Sequence, residues 1–197
     1  MLLSDIRTSV RYRLRETSAS VWTDAELNNE INIAQRIVAK LIKPEFIPEL
    51  FKIDETGTTV VSQEQYNLPS DFLKMAGDAY IGGDRYLFIS SIAEIMRIKK
   101  IAGNDIDYQK KICYLSQDKI GFFPVPTVAN NYSLPYIKIP AALSSDTDES
   151  ELNDTVLSYV IDIAAANAMF KVDVQKSLEL KNQTIQILLG SFKNESG

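Results

Sequence analysis

The segment from Asp154 to Lys171 constrains this chain more than any other. Val156, Leu157, Val160, Ile161, Ile163, Ala164, Ala165, Ala166, Ala168, Met169 and Phe170 occupy every side of a helix rather than one stripe. A helix apolar all round and short of membrane length sits at the centre of a core, with neighbours on several sides. Its alanines let those neighbours approach closely. Asp162 is the lone acid within it and calls for a Lys or Arg partner, or a subunit boundary.

Candidate neighbours lie at both ends of the chain. Leu3, Ile6, Val10 and Leu14 recur at steps of three and four, the stripe of an amphipathic helix. Arg7, Arg11 and Arg15 repeat on another face, either as an anion-binding ridge or as a set of surface ion pairs. Val21-Trp22-Thr23-Asp24-Ala25-Glu26-Leu27 carries a capping box, with Thr23 as N-cap and Glu26 three residues on. Asp24 and Glu26 suit the positive end of the helix dipole, and Trp22 is placed as a hydrophobic staple. Leu27, Ile31, Ala34, Val38 and Leu41 continue that helix until Pro44 stops it, with Ile33 and Ile37 as a second ridge. Near the C-terminus, Val174, Leu178, Ile185, Leu189 and Phe192 trace one more stripe.

Residues 51–140 change character. Thr58-Thr59-Val60-Val61 is β-branched and predicts a strand. Asp78-Ala79-Tyr80-Ile81 and Arg85-Tyr86-Leu87-Phe88-Ile89 flank Gly82-Gly83-Asp84, where the glycines supply the positive φ of a tight hairpin. Ile112–Leu115 and Ile120–Phe123 flank the polar turn Ser116-Gln117-Asp118, a second hairpin, and Leu134–Ile139 gives a last strand. Ser90-Ser91 can cap a short helix from Ile92 to Lys100. The expected fold class is therefore α+β, as a single domain over 1–197. Helices within 2–43 and 153–192 form a bundle, with a central β-rich hairpin insertion at about 51–140 and an acidic linker at 144–151.

Composition narrows the chemistry. There is no histidine, which excludes Ser-His-Asp and Cys-His dyads, HExxH zinc sites and imidazole acid–base work. The one cysteine, Cys113, lies between Ile112 and Tyr114 and reads as a buried small hydrophobe. Asp146, Asp148, Glu149 and Glu151 lack the spacing of a calcium loop and are ordinary acids ahead of a helix. Gly82-Gly83-Asp84 is no phosphate loop, because neither Lys-Ser/Thr nor a helix follows. No metal, cofactor or catalytic residue is expected. Net charge is −5, so the chain as a whole does not attract nucleic acid or anionic lipid. The pairs Lys99-Lys100 and Lys110-Lys111 are small and not interleaved with aromatics. Charge arrives by Asp5 and Arg7, which excludes a signal peptide, and the uncharged run Ile120–Ile137 holds three prolines, which excludes a membrane span.

Three segments, in order, resemble the head-to-tail adaptor (connector) proteins of tailed bacteriophages. They are Val21–Ala34, Tyr66-Asn67-Leu68-Pro69-Ser70-Asp71-Phe72, and Ile120–Pro126 followed by Tyr132–Pro140 and the acidic linker into Leu152-Asn153-Asp154. The resemblance implies a non-enzymatic virion protein that forms a homo-oligomeric ring, typically dodecameric, under the portal protein. Such a ring extends the channel for genomic DNA, without sequence-specific binding, and docks the next tail component, a nozzle or tail-tube protein. By the same resemblance Ile187, Leu188, Leu189, Phe192 and Lys193 are candidate portal contacts. The turns at Gly82, Gly83 and Asp84 and at Gln117 and Asp118 are candidates for the tail side or a neighbouring copy. Two other readings stand beside it: a carboxylate-only lytic glycosidase working through the linker acids, and a protein-binding module with no place in a virion.

Overall fold

Residues 1–16, 21–55, 57–102 and 110–191 are described by a computed structural model. The helices are α1 (Leu3–Leu14), α2 (Asp24–Leu41), α3 (Ile92–Ala102), α4 (Asp154–Met169) and α5 (Val174–Ser191). The strands are β1 (Phe51–Asp54), β2 (Gln65–Asn67), β3 (Phe72–Met75), β4 (Ala79–Ile81), β5 (Asp84–Phe88), β6 (Ile112–Ser116), β7 (Lys119–Phe123) and β8 (Tyr132–Lys138). They fall into two compact units, one of residues 1–50 and 139–197 and one of residues 51–138.

In the helical unit α4 is the centre, packed against α1, α2 and α5. Val156, Leu157, Val160, Ile163, Ala164 and Ala166 are all buried, as its all-round apolarity requires. Local signals fix the helix starts. Thr23 Oγ1 accepts from Glu26 N at 3.2 Å and the Glu26 carboxylate accepts from Thr23 N at 2.7 Å, a complete capping box. Asn153 caps α4 by accepting from Val156 N at 3.1 Å. Trp22 is buried, and its Nε1–H donates to the Ala168 carbonyl at the end of α4, 2.9 Å away.

Two of the three repeated arginines of α1 are spent inside the unit. Arg7 pairs with Asp24 at 3.3 Å and Asp146 at 2.9 Å, while Arg11 reaches Asp24 at 2.6 Å and also grips Glu16. Arg15 closes α1 in the left-handed conformation, at φ 57°. Asp162 finds its partner in Arg13, at 2.7 Å. The acidic linker is stitched along the start of α1. Its Asp148 and Asp146 carbonyls accept from Leu3 N at 2.8 Å and Ser4 N at 3.3 Å, satisfying N–H groups the helix leaves orphaned.

The expected fold class is corrected by the second unit. Residues 51–138 do not form a hairpin insertion on a helical bundle; they form one eight-stranded mixed sheet with its own core. Its order is β1-β8-β4-β5-β6-β7-β2, with β3 also on β8. The two expected hairpins exist as β4–β5 and β6–β7, but β5 and β6 are joined in parallel through the α3 crossover. β8 is the organising strand: β1 lies along one side, and β3 and β4 share the other. Such long-range pairings leave no trace in local periodicity, so strand content was legible and the sheet was not. The core gathers around Phe122, whose ring lies 5.4–5.7 Å from those of Tyr66, Tyr86 and Tyr132.

Three local expectations also change. Thr58–Val61 is no strand: Thr58 makes an isolated bridge to Asn131, and Thr59 Oγ1 bonds the Val128 and Asn130 carbonyls at 3.1 Å, tying two loops together. The last strand runs two residues earlier at its start, from Tyr132. The α5 stripe is displaced as well. Val174 and Leu178 are about half exposed, while the buried residues are Ser177 and Leu188. Ser177 Oγ donates to the Ala166 carbonyl at 2.7 Å, a close approach a larger side chain would prevent.

Candidate docking surfaces

None of the described residues forms a group of three or more His, Cys, Asp or Glu able to hold a metal ion. No described helix is long and apolar enough to cross a membrane. The linker acids that a carboxylate enzyme would need are otherwise engaged. Asp146 holds Arg7, Glu151 accepts from Ala141 N at 3.0 Å, and Asp148 accepts from Ser144 and Ser145 N–H groups at 2.7 and 2.8 Å. Those backbone bonds hold the Asp148 carboxyl below its ordinary range, the reverse of what a general acid requires. Cys113 is fully buried, and burial pushes its thiol up to about 11, so it stays a protonated packing residue.

One polar cluster ties α3 to the sheet. Lys99 Nζ lies 2.9 Å from Tyr114 Oη and 4.7 Å over the Tyr114 ring, and both groups bond the Glu64 carboxylate. Burial works against both charges. The Lys99 and Tyr114 hydrogen bonds outweigh it at Glu64, whose carboxyl is held below its ordinary range, and those to Glu64 and Tyr114 keep Lys99 above its own. All three groups satisfy one another, so the cluster is a brace.

What remains for function is surface. Ile187 is 59% exposed, whereas Leu188 beside it is fully buried in the helical core and Leu189 is half-buried. Phe192 and Lys193 lie outside the described residues. Gly82 and Gly83, at φ 56° and 92°, form the β4–β5 turn as expected, and Asp84 pairs with Lys111 at 2.5 Å. Gln117 takes φ 56° in the β6–β7 turn, and the Asp118 carbonyl accepts from Leu68 N at 3.0 Å. Because β5 and β6 are parallel, the turn before β5 and the turn after β6 lie at opposite strand ends. The structure does not bring these two turns together.

The most apolar exposed surface of the helical unit lies elsewhere, at the α4–α5 corner. Phe170, Val172, Val174 and Leu178 are 48–61% exposed there. Val21, also exposed, joins them through Lys171, whose Nζ donates to the Val21 carbonyl at 2.9 Å and pairs with Glu26 at 2.7 Å. The corner is held rigidly: Asp173 N bonds Met169 O at 2.8 Å, and the Asp173 carboxylate caps α5 by accepting from Lys176 N at 2.9 Å. Exposed apolar side chains held in this way make the corner a candidate for protein docking. Sequence reading passed over it, although the alternation Phe170-Lys171-Val172-Asp173-Val174 in an interhelical turn was a signal.

The family model described as SU10 adaptor protein matches residues 1–192. No curated protein matches the chain.

Proposed function

Since the chain belongs to the SU10 adaptor protein family, a family of phage adaptors, we propose that it is a head-to-tail connector that assembles as a ring beneath the portal. In this reading the ring extends the DNA channel and receives the next tail component. Membership of a phage adaptor family supports reading the chain as a structural component of the virion. The observation that carries the finer reading is the family match over almost the whole chain. The α4–α5 corner supports it, because a closed ring needs a head-to-tail contact on every copy, and this rigid apolar patch is free to supply one. A net charge of −5 suits a passage through which DNA slides without being gripped.

Mass photometry of the chain alone, and mixed with the portal protein of the same phage, tests this. The expected result is a portal-bound assembly of many copies, lost when Val172 and Leu178 are both changed to Glu with the fold intact by circular dichroism. Absence of binding to an intact portal ring overturns the reading.

A further inference from the structure

The cover of α4 by α1, α2 and α5 leaves one side of the helix open. Between α1 and α5 a groove runs along α4, with Ile161, Ala165 and Met169 as its floor, Tyr12 and Arg13 as one wall and Leu180 as the other. It holds two cavities, about 380 Å³ beside Ile161 and about 260 Å³ beside Met169, and Arg13 borders both. The groove ends at Met169, directly before the exposed corner at Phe170, so groove and corner make one continuous surface. Its charge is uneven. Asp162, 37% exposed, lies midway. Asp5 and Asp154 lie one turn before the cavity residues Ser9 and Ser158, on the same faces of α1 and α4, and make the far end acidic.

α3 carries a surface that matches. Its inner side packs Ile95 and Ile98 on Ile112 and Tyr114 of the sheet. Its outer side presents Ile92 and Met96, 77% and 66% exposed and one turn apart, followed by Arg97 and Lys100. Apart from Tyr12, no large apolar side chain among the described residues is more exposed than these two. The helix has 11 residues, about 16 Å, which is the length of the groove floor from Ser158 to Met169.

We propose that the groove on α4 of one copy takes the outer face of α3 of the next copy, a helix laid in a groove. Running antiparallel to α4, α3 sets Ile92 over the cavity beside Met169 and Met96 over the one beside Ile161. That direction brings Arg97 to Asp162 and Lys100 to the acidic end at Asp5 and Asp154. The reverse direction carries Lys100 away from both of those acids. Two different surfaces of one chain meet, as closing a ring by rotation requires. The inference deepens the ring reading and rests on it.

Sedimentation velocity of the full chain at millimolar concentration, without portal, is the test. The wild type should self-associate. Thr184→Trp fills the groove, and Ile92→Glu combined with Met96→Glu removes the apolar ridge of α3. Each variant alone should stay monomeric with its circular dichroism unchanged. Mixed in equal amounts they keep one intact groove and one intact α3, so the mixture should give a species of twice the monomer mass and nothing larger. As a second pair, Asp162→Lys and Arg97→Glu should each be monomeric alone and recover association when mixed. A monomeric wild type, a folded pair that stays monomeric when mixed, or undiminished association of any single variant would each overturn the proposal. Portal-bound assembly alongside such a result keeps the ring and removes this contact, so the two failures are told apart.

Discussion

Gly121 sits opposite Tyr114 on β7, and the cost of giving it a side chain follows from what surrounds that tyrosine. A Cβ at position 121 would lie 2.4 Å from Tyr114 Cζ and 2.7 Å from its Oη, where ordinary contact begins at 3.4 Å. The ring must therefore move by about 1 Å, and it is not free to do so. Its hydroxyl bonds Glu64 and Lys99, and the Lys99 ammonium rests on its face. Forcing a filled site costs roughly 1–3 kcal/mol, and loosening hydrogen bonds to charged groups adds roughly 1.5–3 kcal/mol. Gly121→Ala should therefore destabilise the sheet unit by about 3 kcal/mol in urea denaturation followed by the fluorescence or near-ultraviolet signal of its tyrosines. The decisive measurement is the same substitution in a Tyr114→Leu background. With the ring gone, Gly121→Ala should cost about 1 kcal/mol or less, leaving a coupling of about 2 kcal/mol between the two sites. Equal costs in both backgrounds would refute the argument that Tyr114 is what demands a glycine.

Two further outcomes follow from the helical unit. Trp22→Phe keeps the ring packing but removes the indole bond to the Ala168 carbonyl, which retains Lys171 N at 3.2 Å, and should lower stability by about 0.5–1.5 kcal/mol in the same assay. Acid should also weaken this unit. Hydrogen bonds from Lys171 and from Thr23 hold the Glu26 carboxyl down at about 2, and the Arg11 hydrogen bond lowers Asp24. A carboxyl depressed in the fold binds fewer protons than it does unfolded, so its contribution is complete above the unfolded value of 4.5 and drains away as pH falls toward about 2. The urea midpoint should drop between pH 6 and pH 3, and less steeply in Glu26→Gln; a flat wild-type profile would contradict the assignment.

How much of this was legible depends on the distance between partners. The capping box needs only Thr23 and Glu26, and the β4–β5 turn only Gly82 and Gly83, so both could be read directly. The apolar girth of α4 announced its central place without naming its neighbours. The sheet was hidden because β8 collects β1, β3 and β4 from segments far apart in the chain. Thr58–Val61 misled because β-branching signals strand, whereas Thr59 is used for its hydroxyl. On α5, hydrophobicity pointed to Val174 and Leu178, while close packing chose Ser177. The same displacement leaves apolar residues exposed at the α4–α5 corner, so the misread helix face and the overlooked docking surface have one cause.

The helical unit is assembled from two stretches separated by the whole sheet unit, and this imposes an order on its making. When α1 and α2 leave the ribosome, the helix that will cover Leu27, Ile31 and Val38 has not been translated. At about 5–20 residues per second, roughly 120 further residues take on the order of 6–24 s, and throughout that time the apolar sides of α1 and α2 have only each other and lack their main partner, α4. The sheet unit is contiguous and can close in the meantime. Nascent α1 and α2 are thus where a holding chaperone would be needed, until α4 emerges and replaces it.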